Sequence, residues 1–403
     1  MPGKNLSNFF EEYINKEPIF TNKKALQSGY TPNKIPHRQK EIEYIAKILA
    51  PILRQEKPSN IFIYGKTGTG KTVTIKHVTD EIYNVAERNS LPVKIIYLNC
   101  KLKRVADTEY RLVAELTKQL GVHVPATGLP TDEVYRQFVD ILNEREIKLL
   151  VILDEIDQIV HKIGADFLYN MTRLNTELKQ SEISIVGISN DLHFTEYIDP
   201  RVKSSLSEEE ILFPPYNAVQ IQTILKERSK ESCRLGVIKE GVIEKCAALA
   251  AKEHGDARKA LELLRVAGEM AERKGKDYIE IGDLDEADDK LEKDRTIEYI
   301  NVQPKQSKIT LLAIINKIKQ DPRVPAFTGD IYEVYKNLCF ECKITPLTQR
   351  RISDLIAELD QAGIIRAKLI SKGRYGRTRQ ICLEIGPSAL PNIEKLLKEG
   401  LNL

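Results

Sequence analysis

The sequence has few cysteines and no long apolar run. Six cysteines are scattered through 403 residues, without the spacing of a disulfide framework. No stretch approaches the ~18 apolar residues of a membrane-spanning helix. The first thirty residues carry Glu11, Glu12 and Glu17 and lack the apolar run of a secretory signal. We therefore expect a cytoplasmic protein without a membrane partner.

One cysteine pair, Cys339 and Cys342, has the C-x-x-C spacing of zinc ligands. A zinc site needs a second pair of ligands nearby, and the next cysteine, Cys382, stands alone. We therefore expect two half-buried thiols on a helix rather than a metal site.

Charge is distributed unevenly along an otherwise ordinary composition, with 42% hydrophobic and 30% charged residues. The length predicts two or three domains. From Pro304 to Leu403 there are 17 Lys and Arg against 10 Asp and Glu, a net charge of +7, whereas the whole chain carries +3. A partner of negative charge is thus expected at the C-terminal end.

The most informative stretch is the glycine-rich segment from residue 65 to 72. It fills the P-loop pattern G-x-x-x-x-G-K-[ST] with Gly65, Lys66, Thr67, Gly68, Thr69, Gly70, Lys71 and Thr72. An apolar run at 61–64 predicts a strand before it, and helical spacing follows it. In such a loop the backbone N–H groups face phosphates, Lys71 reaches the β and γ oxygens, and the Thr72 hydroxyl binds Mg²⁺. ATP or ADP with Mg²⁺ is the predicted ligand.

Two later strands end in residues that suit phosphoryl transfer. The apolar run from Ile147 ends in Asp154 and Glu155, the Walker B arrangement, in which Asp154 holds Mg²⁺ through water and Glu155 orients the attacking water. The next strand ends in Asn190, whose amide can bind a γ-phosphate oxygen and the catalytic water. Capping of a turn is the alternative role for Asn190.

A turn and a helix lie just before the P-loop. This position covers the adenine in ring-type ATPases, so Tyr30, Pro32, Ile35 and Arg38 are candidates for contact with the base. The alternative is a solvated helix with ordinary packing.

The alternation of strands and helices predicts a parallel sheet with helices on both faces and a ligand at the carboxyl ends of the strands. After Phe213-Pro-Pro215 only helices are indicated, which predicts a helical lid. Asp256 is a candidate N-cap in this lid, and Arg258 follows in the first turn, where an ATP phosphate would compensate its charge.

The C-terminal part predicts a winged helix. Three helices are expected at 309–319, 330–340 and 348–361, and two strands at 364–370 and 379–385. The third helix begins with Arg350 and Arg351, which are expected to meet base edges, and the hairpin tip carries Lys372, Arg374, Arg377 and Arg379, which are expected to meet phosphates. A solvated basic loop in a protein-binding winged helix is the alternative. The predicted fold class is α/β: a P-loop parallel-sheet domain (1–213), a helical lid (214–297) and a winged helix domain (298–403).

The order of these motifs resembles the archaeal DNA replication initiators of the origin-recognition and cell-division-cycle (Orc/Cdc) type, within the AAA+ ATPases. The resemblance covers nearly the whole chain. It rests on the P-loop, Asp154-Glu-Ile-Asp157, Asp199-Pro-Arg-Val-Lys-Ser-Ser-Leu206, Phe213-Pro-Pro-Tyr216, Gly255-Asp-Ala-Arg-Lys-Ala-Leu261 and the winged helix.

The resemblance implies roles for several residues. Asn190 matches sensor 1 and Arg258 sensor 2, while Tyr216 and Arg228 match nucleotide-contacting residues. The turn from Val124 to Pro130 falls where such initiators carry an additional DNA-touching insertion. It also implies slow ATP hydrolysis used as a switch, recognition of double-stranded origin DNA, recruitment of the replicative MCM helicase, association with initiator paralogues, and a nucleoid location.

The chain departs from the AAA+ pattern at Ser204-Ser205, where many members have a Ser-Arg pair whose arginine reaches a neighbour's ATP. Arg201 lies one turn earlier, and its action in trans stays open. Two other functions also stay open: a winged helix transcription regulator with ATP as a structural ligand, and a clamp-loader-like ATPase. Glu155 and Asn190 argue against the first, because a protein that never hydrolyses ATP needs neither. The winged helix argues against the second.

Overall fold

The computed structural model describes residues 6–101, 108–125, 128–192, 198–206, 209–253, 255–320, 325–371, 377–386, 389–401 and 403. The chain forms two compact units, Met1–Leu284 and Asp285–Leu403. None of the helices in the described ranges is both long and apolar enough to cross a membrane.

The first unit contains a parallel sheet surrounded by helices. Its described helices are α1 (Leu6–Asn15), α2 (Gln39–Leu49), α3 (Lys71–Arg88), α4 (Glu109–Gln119), α5 (Thr131–Arg145), α6 (Ile156–Ile163), α7 (Asp166–Arg173), α8 (Pro200–Leu206), α9 (Ala218–Ser232), α10 (Val242–Lys252) and α11 (Ala257–Arg273). Its described strands are β1 (Ile61–Tyr64), β2 (Val93–Asn99), β3 (Lys148–Asp154), β4 (Glu182–Ser189) and β5 (Glu209–Leu212).

The five described strands pair in the order β2-β3-β4-β1-β5, all in parallel. Along β3, Leu149 and Val151 join one apolar cluster while Leu150 and Ile152 join another, so the sheet is covered on both faces. The register sets Asn99 beside Asp154 and Tyr64 beside Ser189. The loops after β1, β3 and β4 therefore meet at one edge, and the predicted α/β sheet is confirmed.

The segment before the sheet packs on the lid formed by α9, α10 and α11. Ile19 is buried, its backbone oxygen accepts a hydrogen bond from the N–H of Arg234 (3.0 Å), and the N–H of Thr21 donates to the oxygen of Ser232 (2.9 Å). The Phe20 ring fills space beside Gly268, where an added Cβ would lie 2.3 Å from the ring. The N-terminal segment is thus anchored to the lid before it reaches the P-loop.

The second unit has the arrangement of a winged helix, as predicted. Its described elements are α13 (Lys305–Gln320), β6 (Ala326–Phe327), α14 (Thr328–Glu341), α15 (Gln349–Gln361), β7 (Ile365–Ser371), β8 (Arg377–Leu383) and α16 (Leu390–Leu401). The strands pair in the order β6-β8-β7 and are antiparallel. The sequence predicted neither the two-residue β6 nor α16, whose Ile393 and Leu397 complete the apolar core.

The helix α12 (Ile281–Val302) contains the division between the two units. The lid and winged helix boundary at residues 297 and 298 falls inside it and stays a prediction.

Candidate nucleotide site and nucleic-acid interface

The P-loop closes around the ammonium group of Lys71, the first residue of α3. Lys71 Nζ donates to the backbone oxygens of Gly65 (2.6 Å) and Lys66 (2.8 Å) and to Oδ1 of Asn190 (2.9 Å). Gly70 precedes α3 with φ +90°, a left-handed conformation in which a side chain is strained. The P-loop thus leads directly into the N-terminus of α3. A helix N-terminus favours the binding of anions.

Two P-loop glycines allow close contact with the lid rather than with the sheet. A Cβ at Gly68 would lie 1.7 Å from Oδ1 of Asp256, and one at Gly70 would lie 2.6 Å from the hydroxyl of Tyr216. The N–H of Ala257, at the start of α11, also donates to the oxygen of Gly68 (3.3 Å). These glycines therefore let the lid approach the phosphate loop.

Asp154 ends β3 with both carboxylate oxygens engaged. Its Oδ2 accepts from the hydroxyls of Thr72 (2.9 Å) and Tyr97 (2.6 Å), and its Oδ1 accepts from the N–H of Glu155 (3.0 Å). A hydroxyl and a carboxylate in contact are hard oxygen ligands that suit Mg²⁺, which keeps waters and phosphate oxygens as its other ligands. The residues Thr72 and Asp154 therefore fit the predicted ion.

Glu155 follows Asp154 in a left-handed conformation with φ +57°, at the N-terminus of α6. Such a conformation is unusual for a residue other than glycine, and it occurs often at functional sites. The Glu155 carboxylate is partly exposed and lies 3.8 Å from Nζ of Lys101. Glu155 is therefore only partly buried beside Asp154.

The pKa of Lys71 is lowered to about 8, first by burial and then by the positive charge of Arg258. Arg258 is exposed at the start of α11, which Asp256 caps by accepting from the N–H groups of Arg258 (2.8 Å) and Lys259 (3.3 Å). Lys71 and Arg258 each lie in the first turn of a helix, α3 and α11, and their positive charges repel each other. Such a pair of cations favours a bound anion. A nucleotide phosphate meets this requirement.

A cleft that is open to solvent adjoins the P-loop. The cleft is lined by three of the residues predicted to contact the base, Tyr30, Pro32 and Ile35. Tyr216, Arg228 and Arg258 line it as well. A cleft on which aromatic and polar side chains converge suits a small-molecule ligand.

Arg228 in this cleft is buried yet incompletely paired. Its Cζ lies 4.7 Å from the centre of the Tyr30 ring, and its Nη2 donates to the Tyr30 oxygen (3.2 Å). Its Nη1 is buried without a hydrogen-bond partner among the described residues. Burial lowers the pKa of Arg228. A buried donor at a cleft wall fits a ligand that offers acceptor atoms, as ATP and ADP do.

Arg38 is the one base-contact candidate that does not line the cleft. Only 2% of its surface is exposed, and its Nε donates to the oxygen of Thr69 (3.0 Å). It lies against the P-loop backbone, which favours the alternative of packing over contact with the base.

The sequence missed Tyr97 and Glu231. Tyr97 reaches Asp154 from the neighbouring strand β2, and Glu231 accepts from the Tyr30 hydroxyl (3.0 Å) at the cleft rim. The side-chain alternation along β2 identifies Tyr97 as a strand residue but does not identify its partner. Both contacts join residues that are far apart in the sequence, so no local pattern predicts them.

The second unit separates the two arginines at the start of α15. Arg350 lines a groove between α15 and the hairpin, together with Ser353, Thr378 and Arg379. Arg351 instead forms ion pairs on its own helix with Asp354 (3.7 Å) and Glu358 (3.9 Å).

Only part of the hairpin tip that was predicted to meet phosphates lies in the described residues. Arg379 Nη1 donates to the Ser353 oxygen (3.2 Å), so this side chain joins the hairpin to α15. Lys372 and Arg374 lie outside the described residues, and Arg377 begins β8.

Two further predicted positions lie in the first unit. In the turn from Val124 to Pro130, Val124 is buried and the Pro125 oxygen accepts from the Tyr110 hydroxyl (2.6 Å), while residues 126 and 127 lie outside the described residues. Arg201 is exposed on α8.

Comparison with protein families matches three parts of the chain. Residues 54–193 match an AAA domain, residues 222–289 the Cdc6 AAA+ ATPase-type lid domain, and residues 298–392 the CDC6 C-terminal winged helix domain. These matches and the two compact units confirm the predicted fold class.

Similar proteins share nearly the whole length. An ORC1-type DNA replication protein of Thermococcus onnurineus is 50% identical over 98% of this chain and 95% of its own. One of Methanosarcina mazei is 46% identical over 100% and 95%. The structure of the Aeropyrum pernix ORC1 protein in complex with DNA has a TM-score of 0.83 at 42% identity, over 95% of this chain and 98% of that one. The chain therefore belongs to the family of archaeal ORC1-type DNA replication proteins, origin-recognition AAA+ proteins with a Cdc6-type lid and a winged helix domain.

Proposed function

We propose that this protein is a replication initiator that binds and slowly hydrolyses ATP and uses its nucleotide state to control origin DNA binding and recruitment of the replicative MCM helicase. One observation carries the proposal. The contacts of Lys71 with Asn190 and of Thr72 with Asp154 assemble phosphate-binding and metal-binding groups beside an accessible Glu155. A protein that only stored nucleotide would not need a residue placed to orient water.

Each group has a role in this proposal. Lys71 and Arg258 bind the phosphates, and Thr72 and Asp154 would hold Mg²⁺, which would supply positive charge beside the phosphate oxygens. Glu155 orients the attacking water, while Asn190, whose Oδ1 accepts from Lys71, donates its Nδ2 group to the γ-phosphate. Tyr30, Tyr216 and Arg228 enclose the nucleoside.

Slow hydrolysis is proposed because Ser205 stands where an arginine finger is common. In P-loop NTPases that finger accelerates hydrolysis by about 10³ to 10⁵. Without one the ATP-bound state lasts, which suits a switch more than a motor.

The DNA contact is proposed for the second unit. A winged helix presents its third helix and its hairpin to a duplex, and here the groove between them carries Arg350 and Arg379. The relative from Aeropyrum pernix is described in complex with DNA. The net charge of +7 from Pro304 to Leu403 supports contact with phosphates. DNA binding would place the protein at the nucleoid, with the MCM helicase and initiator paralogues as its protein partners.

Footprinting on genomic DNA tests this function. We expect protection at one intergenic cluster beside replication genes, with an extent that differs between ATP and ADP. Lys71→Ala is the control, because it should remove the nucleotide dependence and leave the winged helix intact.

The same experiment separates the alternatives. Protection at promoters that is identical with ATP and ADP would favour a transcription regulator, and preference for primer-template junctions would favour a clamp-loader-like ATPase. Either result would contradict the proposal.

A further inference from the structure

Arg38 is a charged residue that is almost completely buried between the P-loop and the segment that leads to the lid. Its Cζ lies 5.2 Å from the centre of the Phe213 ring and 4.2 Å from that of the Tyr216 ring. Both aromatic residues belong to the stretch 213–216, named here the lid linker, which joins β5 to α9. The guanidinium is thus held between aromatic faces, an arrangement that stabilises a desolvated cation.

The hydrogen bonds of Arg38 reach both the P-loop and the lid linker. Nε donates to the oxygen of Thr69 (3.0 Å) and to the hydroxyl of Tyr216 (3.2 Å), and Nη2 donates to the oxygen of Pro214. Nη1 forms the ion pair with Glu41 (2.9 Å). One side chain therefore connects the phosphate loop, the lid linker and α2. The planar fork of arginine permits this set, whereas the single ammonium of lysine does not.

The lid linker continues the connection to Arg258. The Tyr216 hydroxyl lies 2.6 Å from the position of a Cβ at Gly70, and the Tyr216 oxygen lies 2.3 Å from the position of one at Gly255. Gly255 immediately precedes the N-terminus of α11, where Arg258 reaches the nucleotide cleft. Displacement of the lid linker would thus displace Arg258.

We infer that Arg38 is a positioning residue that holds the lid linker against the P-loop, so that Arg258 acts on bound nucleotide only while Arg38 makes these contacts. The inference rests on the proposed nucleotide site. Arg38 itself does not touch the ligand. Its loss should therefore weaken binding by removing the contribution of Arg258.

A double-mutant cycle on full-length protein tests this coupling. Affinity for a non-hydrolysable ATP analogue with Mg²⁺ is measured calorimetrically for wild type, Arg38→Lys, Arg258→Ala and the double variant. Removing a hydrogen bond to a charged group costs about tenfold or more in affinity, so we expect Arg258→Ala to weaken binding about tenfold in the wild type. In the Arg38→Lys background the loss should be under about threefold, since residues of one network are not additive.

Arg54→Lys is the matched control, because Arg54 is an exposed arginine that also lies before the P-loop. It should leave the effect of Arg258→Ala at about tenfold. Circular dichroism verifies that each variant folds. Should Arg38→Lys not fold, Tyr216→Phe takes its place in the cycle, since it removes the hydroxyl that accepts from Arg38.

The outcomes are distinct. A reduced effect of Arg258→Ala in either background supports the coupling. Equal effects in wild type and in the variant background would show that Arg38 merely stabilises the fold, and would overturn the inference while leaving the proposed function in place. Absence of nucleotide binding by the wild type would overturn both.

Discussion

The ammonium group of Lys71 lies 2.9 Å from the Oδ1 atom of Asn190, across the space between the P-loop and the end of β4. The backbone oxygens of Gly65 and Lys66 are the other two acceptors of the Lys71 ammonium group. Phosphate oxygens therefore compete with these protein acceptors when nucleotide binds, and Oδ1 of Asn190 then becomes free to accept from the attacking water. The same contact thus links nucleotide binding to a residue with a proposed role in hydrolysis.

Nucleotide affinity should fall as the pH rises above about 8. Burial and Arg258 lower the pKa of Lys71 to about 8, from the ordinary value of 10.5. Below this pH the lysine is already protonated, so binding takes up no proton. Above it, the phosphates must recruit one, and affinity should drop about fivefold between pH 8 and 9.

Calorimetry in buffers of different ionisation enthalpy measures this proton uptake directly. Lys71→Arg, which remains charged, is the control and should bind with less pH dependence. Equal affinity of the wild type at pH 7 and pH 9 would contradict the prediction.

Glu155→Gln should retain ATP affinity and lose hydrolysis, because it removes the base that orients water but leaves Thr72 and Asp154 in contact. Lys71→Ala should lose binding itself. Single-turnover hydrolysis and equilibrium binding of both variants are the measurements. Hydrolysis by Glu155→Gln at the wild-type rate would contradict the role of Glu155 in orienting the attacking water.

Hydrolysis per molecule should not depend on protein concentration if Arg201 has no role in trans. Arg201 is exposed on α8, and the position of the usual finger holds Ser205. Specific ATPase activity is measured across a hundredfold range of concentration. A steep rise that Arg201→Ala abolishes would show that Arg201 completes a neighbouring site.

Arg350→Ala should relax sequence preference more than Arg351→Ala does. Arg350 lines the groove beside the hairpin, whereas Arg351 is engaged by Asp354 and Glu358. A side chain that reads a guanine contributes about 1 to 3 kcal/mol of discrimination. Competition between an origin duplex and mutated duplexes measures it, with Arg351→Ala as the matched neighbour. A larger loss for Arg351→Ala would reverse the assignment.

Arg377→Ala should weaken binding to all duplexes alike and reduce the slope of log K against log salt by about one unit, as expected for a single phosphate contact. Arg379→Ala should differ, because Arg379 also holds the hairpin to α15 through Ser353. We expect it to lower sequence preference as well as affinity. Salt titrations of both variants on one origin duplex and one unrelated duplex decide between these outcomes.

The sequence by itself determined the elements whose signals are local. The P-loop was predictable because a few consecutive residues set its conformation, with Gly70 at positive φ directly before α3. Asp154 and Glu155 were predictable because an apolar strand ends there. The roles assigned to the site residues stay predictions.

Tertiary structure decided the contacts between distant parts of the chain. Arg38 is an ordinary charged residue before a helix until the fold brings Thr69 and Tyr216 to it, from 31 and 178 positions away. Tyr97 meets Asp154 because β2 and β3 pair in one register, and Arg350 differs from Arg351 because a step along α15 turns it toward the hairpin. Burial and hydrogen bonding depend on which surfaces pack together, and local sequence patterns do not encode that choice.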